Sequence, residues 1–174
     1  MRPENLRVTL PAVIALGGNL GDREATLRDA VADLARTDGI IVDAVSSLYE
    51  TDALKPDGVD LSAPAYLNAV ILVRSALQPL ELLDVLHTVE KAHDRVRVEH
   101  WGDRTLDLDI ITFAGLEYHD DALTLPHPRA FERAFVLAPW HEIQPNATLP
   151  GHGPITPLLA ATYESPRLYS RWER

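Results

Sequence analysis

From Arg104 to Ile111 the chain reads Arg-Thr-Leu-Asp-Leu-Asp-Ile-Ile. Apolar and charged residues alternate with period two, the pattern of a strand. A strand sends positions i and i+2 to the same face. Leu106, Leu108 and Ile110 therefore line one side, which anchors the segment in a sheet. Asp107 and Asp109 project together from the other side. Two carboxylates close together on a rigid element repel each other unless a cation sits between them. They offer the hard oxygen ligands that magnesium prefers. Taken alone, the same segment is equally an exposed strand face with two solvated aspartates.

The order of periodicities along the chain sets the fold. Val8 to Leu16 reads as a buried strand ended by Gly17-Gly18, and Asp22 suits the cap of a helix carrying Leu27, Val31 and Leu34. Asp38-Gly39 stops that helix. Ile40 to Tyr49 reads as a second strand, Asp52 to Pro64 as a long loop of the kind that often carries function, and Tyr66 to Arg74 as a third strand. Pro79 fits the first turn of a second helix, whose apolar stripe is Leu82, Leu83, Leu86 and Val89. A charged loop from Arg95 to Asp103 precedes the aspartate strand, Leu106 to Phe113. The order is β-α-β-β-α-β, the ferredoxin-like arrangement of an α+β fold: an antiparallel four-stranded sheet with two helices on one face. A C-terminal extension follows. It holds Pro126-His127-Pro128, a short helix near Arg129 to Arg133 and another near Thr156 to Thr162.

At 174 residues the expectation is a single domain spanning 1–174. Sixteen basic residues face 26 acidic ones, a net charge of −10, which argues against nucleic acid or an anionic membrane as partner. Any phosphate site must then be a local concentration of arginine. There is no cysteine, which excludes disulfides, thiolate zinc sites and cysteine nucleophiles. No apolar run approaches the ~20 residues that span a bilayer, and Met1 to Leu10 lacks a signal-peptide pattern. A soluble cytoplasmic protein is expected.

Chemistry concentrates in a few places. Arg95, Arg97 and Arg104 lie within ten residues, interleaved with Trp101 and followed at once by Asp107 and Asp109. Guanidinium groups bind phosphate oxygens in pairs, and magnesium on one or two carboxylates keeps company with substrate phosphates. The set suggests a polyphosphate–magnesium site. Alternatively, the arginines pair with Asp94, Glu99 or Asp103 in a solvated loop. Tyr66, Asn68, Trp101 and Phe135 suit a flat heterocycle, aromatic faces for its rings and an amide for its edge; core packing is the competing reading for each aromatic. His127 and Arg133 form a further basic pair, and the histidine is either exposed, a phosphate contact or a proton carrier. Gly17-Gly18-Asn19-Leu20-Gly21-Asp22 sits where phosphate loops occur but fits neither the Walker A nor the dinucleotide spacing. It reads as a tight turn with a helix cap. His87 and His93, six apart, do not share a helix face and are not read as a metal pair.

These motifs, together with Tyr66-Leu67-Asn68-Ala69 and Leu125-Pro126-His127-Pro128, resemble the 6-hydroxymethyl-7,8-dihydropterin pyrophosphokinases of folate biosynthesis, in colinear order from about Val8 to about Leu159. The resemblance implies transfer of the β,γ-pyrophosphoryl unit of ATP to the pterin hydroxymethyl group, with release of AMP. Asp107 and Asp109 match the ligands of two magnesium ions. Arg95 and Arg97 match arginines of a catalytic loop, and Arg104 a phosphate contact. His127 and Arg133 match the triphosphate side, Glu90 and Thr124 nucleotide contacts, and Ile110 a residue whose backbone reads adenine. Tyr66 and Phe135 correspond to the aromatics that sandwich the pterin, Asn68 to the amide at its edge and Trp101 to a lid. Thr51 and Leu54 match a loop whose backbone contacts the pterin.

Some positions depart from the commoner pattern: Asp103 for proline, His100 for arginine, His87 for glutamine, Ala122 for a basic residue, and Asp52-Ala53 without the usual proline. The family's members are often monomers, and a monomer is expected here. Two other readings share the residues: a binding module without turnover, and a metal-dependent phosphodiesterase that ignores the pterin.

Overall fold

The computed structural model describes residues 7–55, 57–93 and 105–172. Strand β1 (Leu10–Gly18) leads into helix α1 (Arg23–Ala35), whose N-cap is Asp22: its carboxylate accepts from the Ala25 N–H at 3.1 Å. Strands β2 (Ile40–Val45) and β3 (Leu48–Thr51) follow, then a hairpin of β4 (Ala53–Lys55) and β5 (Gly58–Asp60). Strand β6 (Tyr66–Ser75), helix α2 (Pro79–His93) and strand β7 (Asp107–Phe113) complete the βαββαβ order. A second hairpin, β8 (Tyr118–His119) with β9 (Thr124–Leu125), precedes a 3₁₀ turn at Ala130–Glu132 and helix α3 (Ala134–Ile143). The chain ends in a small hairpin, β10 (Thr148–Leu149) with β11 (Gly153–Pro154), helix α4 (Ile155–Ala160) and strand β12 (Arg167–Ser170).

Six strands form one antiparallel sheet in the order β12-β3-β6-β1-β7, with β2 pairing the far half of β6. The expected second strand, Ile40 to Tyr49, is thus divided in two. At the break Ser46 exchanges hydrogen bonds with Val70, its N–H donating to the Val70 carbonyl and its Oγ accepting from the Val70 N–H, both at 2.9 Å. The Ser47 N–H and Oγ donate instead to the Glu142 carboxylate of α3. The Tyr49 hydroxyl donates to the same carboxylate, and burial with this charged acceptor pushes its pKa up to about 12.

Each face of the sheet has its own apolar layer. On one side α1 and α2 bury Leu27, Val31, Leu34, Leu82, Leu86 and Val89 against Ile14, Leu16, Ile71, Leu106, Leu108 and Ile110. This is the layer that the helical and strand periodicities mark. On the other side α3 and α4 bury Val136, Leu137, Trp140 and Ile155 against Val13, Val70 and Ile111. The sequence expectation of helices on one face is therefore incomplete. Helix α3 is apolar nearly throughout and carries Pro139 in its interior, so it shows neither an amphipathic stripe nor a clean helical signal. The short helix expected near Arg129 is the 3₁₀ turn, and β12 extends the sheet beyond the four expected strands.

Candidate active site

The strand alternation holds where it matters most. Leu108 and Ile110 are buried against the α1–α2 layer, whereas Asp107 and Asp109 face the α3 side, Asp107 half-buried and Asp109 exposed. Register then sets what surrounds them. Ala15 pairs with both Asp109 and Val70, and Gly17 pairs with both Asp107 and Asn68. Two rows thus cross the sheet on one face. The first, Val70–Ala15–Asp109, lies at the edge of the apolar layer under α3. The second, Asn68–Gly17–Asp107, lies one step toward the strand ends.

Three side chains, those of Asn68, Tyr66 and Thr51, meet at the Asn68 end. Tyr66 and Asn68 share the face by strand alternation, and Thr51 pairs with Tyr66 across β3 and β6. The Asn68 Nδ2 donates to Thr51 Oγ1 at 2.9 Å, which fixes the orientation of an amide that is only 4% exposed. Phe135, in the first turn of α3, packs against the layer that includes Ala15. Leu54 falls in β4, with its backbone paired to Val59; its side chain lies outside the described residues.

Basic groups converge from the segment that follows β7. A register shift interrupts the β1–β7 ladder at Val13/Ile14, opposite Ile110 to Thr112, and the Ile111 carbonyl accepts from the His127 N–H at 2.9 Å. His127 Nδ1 accepts from the Arg129 N–H at 3.2 Å. A nitrogen that accepts carries no proton, so the neutral ring bears its hydrogen on Nε2. Burial drives the His127 pKa below its usual value. The Asp109 charge opposes that shift, and Arg133 and Arg129 reinforce it. Burial and Arg129 likewise lower the Arg133 pKa against the pull of Asp109. The Arg133 guanidinium lies 5.4 Å from the centre of the Phe135 ring, so one short stretch of chain carries a cation and an aromatic side by side, the cation within electrostatic reach of Asp109.

Beside them a cavity of about 480 Å3 is lined by Glu117, His119, Thr124, His127, Pro128 and His152, among others. Thr124 Oγ1 lies 2.7 Å from His119 Nδ1. Glu90 reaches the sheet from the α2 side, where its Oε1 accepts from the Leu108 N–H at 2.9 Å. Ile110 is buried on the α1–α2 face. Arg95, Arg97, Trp101 and Arg104 lie outside the described residues, as do His100 and Asp103. Among the described residues no group of three or more histidine and carboxylate side chains is placed to hold a metal ion. Asp107 and Asp109 offer two carboxylates, a set suited to an ion that takes its other ligands from phosphate and water.

Two participants escaped the sequence reading. Gly17 belongs to β1 rather than to a turn, and a glycine inside a strand is itself a signal of close approach. Glu142 is the other, and nothing in its local sequence marks it.

The fold and the site define an α+β transferase of the small-molecule kinase class, with an acidic pair and a basic flank on one sheet face. The chain belongs to the 7,8-dihydro-6-hydroxymethylpterin-pyrophosphokinase family, whose model matches residues 13–145. Its activity is the family's, transfer of pyrophosphate from ATP to 6-hydroxymethyl-7,8-dihydropterin. It is similar to a 2-amino-4-hydroxy-6-hydroxymethyldihydropteridine pyrophosphokinase of Bacillus subtilis, 46% identical over 132 residues, 76% of this chain and 77% of that one. The enzyme of the same name from Synechocystis is 41% identical over 142 residues, covering 82% of this chain and 70% of the relative. A Lactococcus lactis relative named bifunctional protein FolKE is 37% identical over 87% of this chain, which spans only 42% of it. Among solved structures, wild-type HPPK-DHPS of Plasmodium falciparum superimposes with a TM-score of 0.66 at 14% identity. That match covers 88% of this chain and 44% of the longer one, and it bears on the fold alone.

Proposed function

We propose that Asp107 and Asp109 hold two magnesium ions that bind the triphosphate of ATP, and that the pterin lies along the row from Asn68 across Gly17 toward Asp107. The observation that carries this reading is the row itself. Asn68 and Asp107 flank Gly17 on adjacent strands, so about two strand spacings, ~10 Å, separate the amide from the first carboxylate. A flat ring placed over Gly17 meets the amide with its edge and presents its hydroxymethyl group toward the aspartates. Tyr66 and Phe135 supply the stacking faces, and the backbone near Thr51 and Leu54 the remaining edge contacts. Trp101 is assigned to the pterin as well.

Magnesium held by Asp107 and Asp109 would neutralise phosphate charge and help orient the attacking hydroxyl. The protein's own residues position the reactants. His127, neutral and protonated at Nε2, donates to a phosphate oxygen without repelling nearby cations, and Arg133 adds a fixed positive charge. Arg95, Arg97 and Arg104 are assigned to the transferred group. Glu90, Thr124 and the Ile110 backbone border the nucleotide. Phosphoryl transfer asks for positioning and charge stabilisation more than for a strong base, and the site offers these. No helix among the described residues is long and apolar enough to cross a membrane; we take the protein to work as a single-domain monomer in the cytoplasm.

The test is AMP release from ATP and magnesium, measured with and without the hydroxymethyl pterin. AMP appearing only with the pterin supports the reading. Release independent of pterin points to a phosphodiesterase, and no release to a binding module; either refutes it.

A further inference from the structure

The Gly17–Asp22 stretch occupies the usual place of a phosphate loop, between β1 and α1, yet its side chains turn elsewhere. The N-terminus of α1 is already occupied by an anion of the chain's own, the Asp22 carboxylate on the Ala25 N–H. Asn19 is 2% exposed, and its Nδ2 donates to the Pro64 carbonyl at 3.1 Å. Arg23 Nη1 donates to the Ala65 carbonyl at 2.7 Å and to Glu50 Oε2 at 2.9 Å. Pro64 and Ala65 are the last two residues before Tyr66, and Glu50 immediately precedes Thr51. Asn19 and Arg23 thus tie down the residues that precede Tyr66, and Arg23 also the residue that precedes Thr51. Gly17 contributes space. A Cβ there falls 3.1 Å from Asn68 Oδ1, while the Gly17 φ lies outside the left-handed region. Contact with Asn68, not backbone conformation, is what disfavours a side chain at this strand position.

We propose that Gly17, Asn19 and Arg23 are positioning residues for the pterin pocket, not phosphate contacts. Asn19 and Arg23 hold the end of the 52–65 loop so that Tyr66 enters β6 in one direction, and Gly17 leaves room for the Asn68 amide in its Thr51-bonded orientation. The inference rests on the assignment of Tyr66 and Asn68 to the pterin.

The experiment uses the full chain, with KM for pterin and for ATP measured separately, pterin binding followed by its fluorescence, and thermal melting as control. Asn19→Asp keeps the shape but replaces the donor with an acceptor facing the Pro64 carbonyl. Arg23→Met removes the other donor, and Arg23→Lys restores a single cationic one. Asn19→Asp loses one hydrogen bond and Arg23→Met two, and each raises the pterin KM and dissociation constant roughly tenfold or more. The ATP KM stays within about twofold, and Arg23→Lys recovers most of the loss. Gly17→Ala weakens pterin binding, because the added methyl meets the Asn68 amide and displaces it.

A raised ATP KM with unchanged pterin KM overturns the proposal in favour of a phosphate loop. Unchanged constants for both substrates, or both rising in step with a lost melting temperature, overturn it in favour of a purely structural turn. If Asn19→Asp does not fold, the Arg23 pair and Gly17→Ala decide. Absence of pterin-dependent AMP in the unsubstituted protein instead refutes the assignment of the pocket.

Discussion

Replacing Glu90 by alanine separates two roles for one carboxylate. β7 is the last strand of the sheet, and Leu108 pairs with Leu16 on its inner side. Glu90 Oε1 receives the Leu108 N–H at 2.9 Å, and Leu108 is only 2% exposed. Without the carboxylate, that N–H loses a charged acceptor at a site water reaches poorly. A hydrogen bond to a charged group contributes about 1.5–3 kcal/mol, so Glu90→Ala is expected to cost about 2 kcal/mol. At roughly 2–4 °C per kcal/mol for a chain of this size, the melting temperature falls by about 4–8 °C. Glu90→Gln retains an acceptor oxygen and loses less than half as much. The assay is urea and thermal unfolding of the three proteins, with an unchanged urea slope showing that stability alone has moved. The ATP KM of the same three proteins completes it. An amide that still holds Leu108, and with it the aspartates on either side, keeps Glu90→Gln near the unsubstituted protein. A melting temperature unchanged in Glu90→Ala refutes the role of Glu90 in securing the edge strand.

Asp109→Ala removes an exposed carboxylate that no apolar layer depends on; turnover is expected to fall below detection with the urea midpoint preserved, and near-normal activity refutes the metal assignment. Trp140→Ala empties a site that is 2% exposed beneath α3 and is expected to cost about 3–5 kcal/mol in urea unfolding; a loss under about 1 kcal/mol shows that α3 is not packed as described. His127 gives the metal-free protein a pH dependence. Its folded pKa lies below the usual 6.5, so the unfolded chain takes up the proton first. Its contribution is complete above 6.5 and lost as pH falls from there through the folded value. Unfolding free energies from pH 7.5 down to 5.5 are expected to fall more steeply for the unsubstituted protein than for His127→Asn, and parallel curves refute the burial of the ring.

The sequence carried the core arrangement because the elements that build it are patterned by their own periods. Leu27, Val31 and Leu34 repeat as a helix repeats, and Leu106, Leu108 and Ile110 as a strand repeats, and each set is buried where its period points. It also carried the chemistry of the aspartate pair, since two residues separated by one in a strand share a face in any sheet. Helix α3 was illegible for a physical reason. Buried on more than one side and interrupted by Pro139, it has no polar face to set its period. The division of the second strand was hidden as well, because the Ser46–Ser47 break is satisfied by Glu142, 95 residues away from Ser47.

The chain alone therefore determined that a ferredoxin-like sheet forms and that Asp107 and Asp109 leave it on one side. Tertiary structure decided what faces them. Register across β6, β1 and β7 set Asn68, Gly17 and Asp107 in one row. The segment after β7 brought His127 and Arg133 to Asp109, and contacts with the residues before β6 turned Asn19 and Arg23 away from a phosphate loop and onto the carbonyls of Pro64 and Ala65. Local periodicity follows from neighbouring residues. Register and docking follow from contacts between residues distant in the chain, and no short stretch of sequence contains both partners.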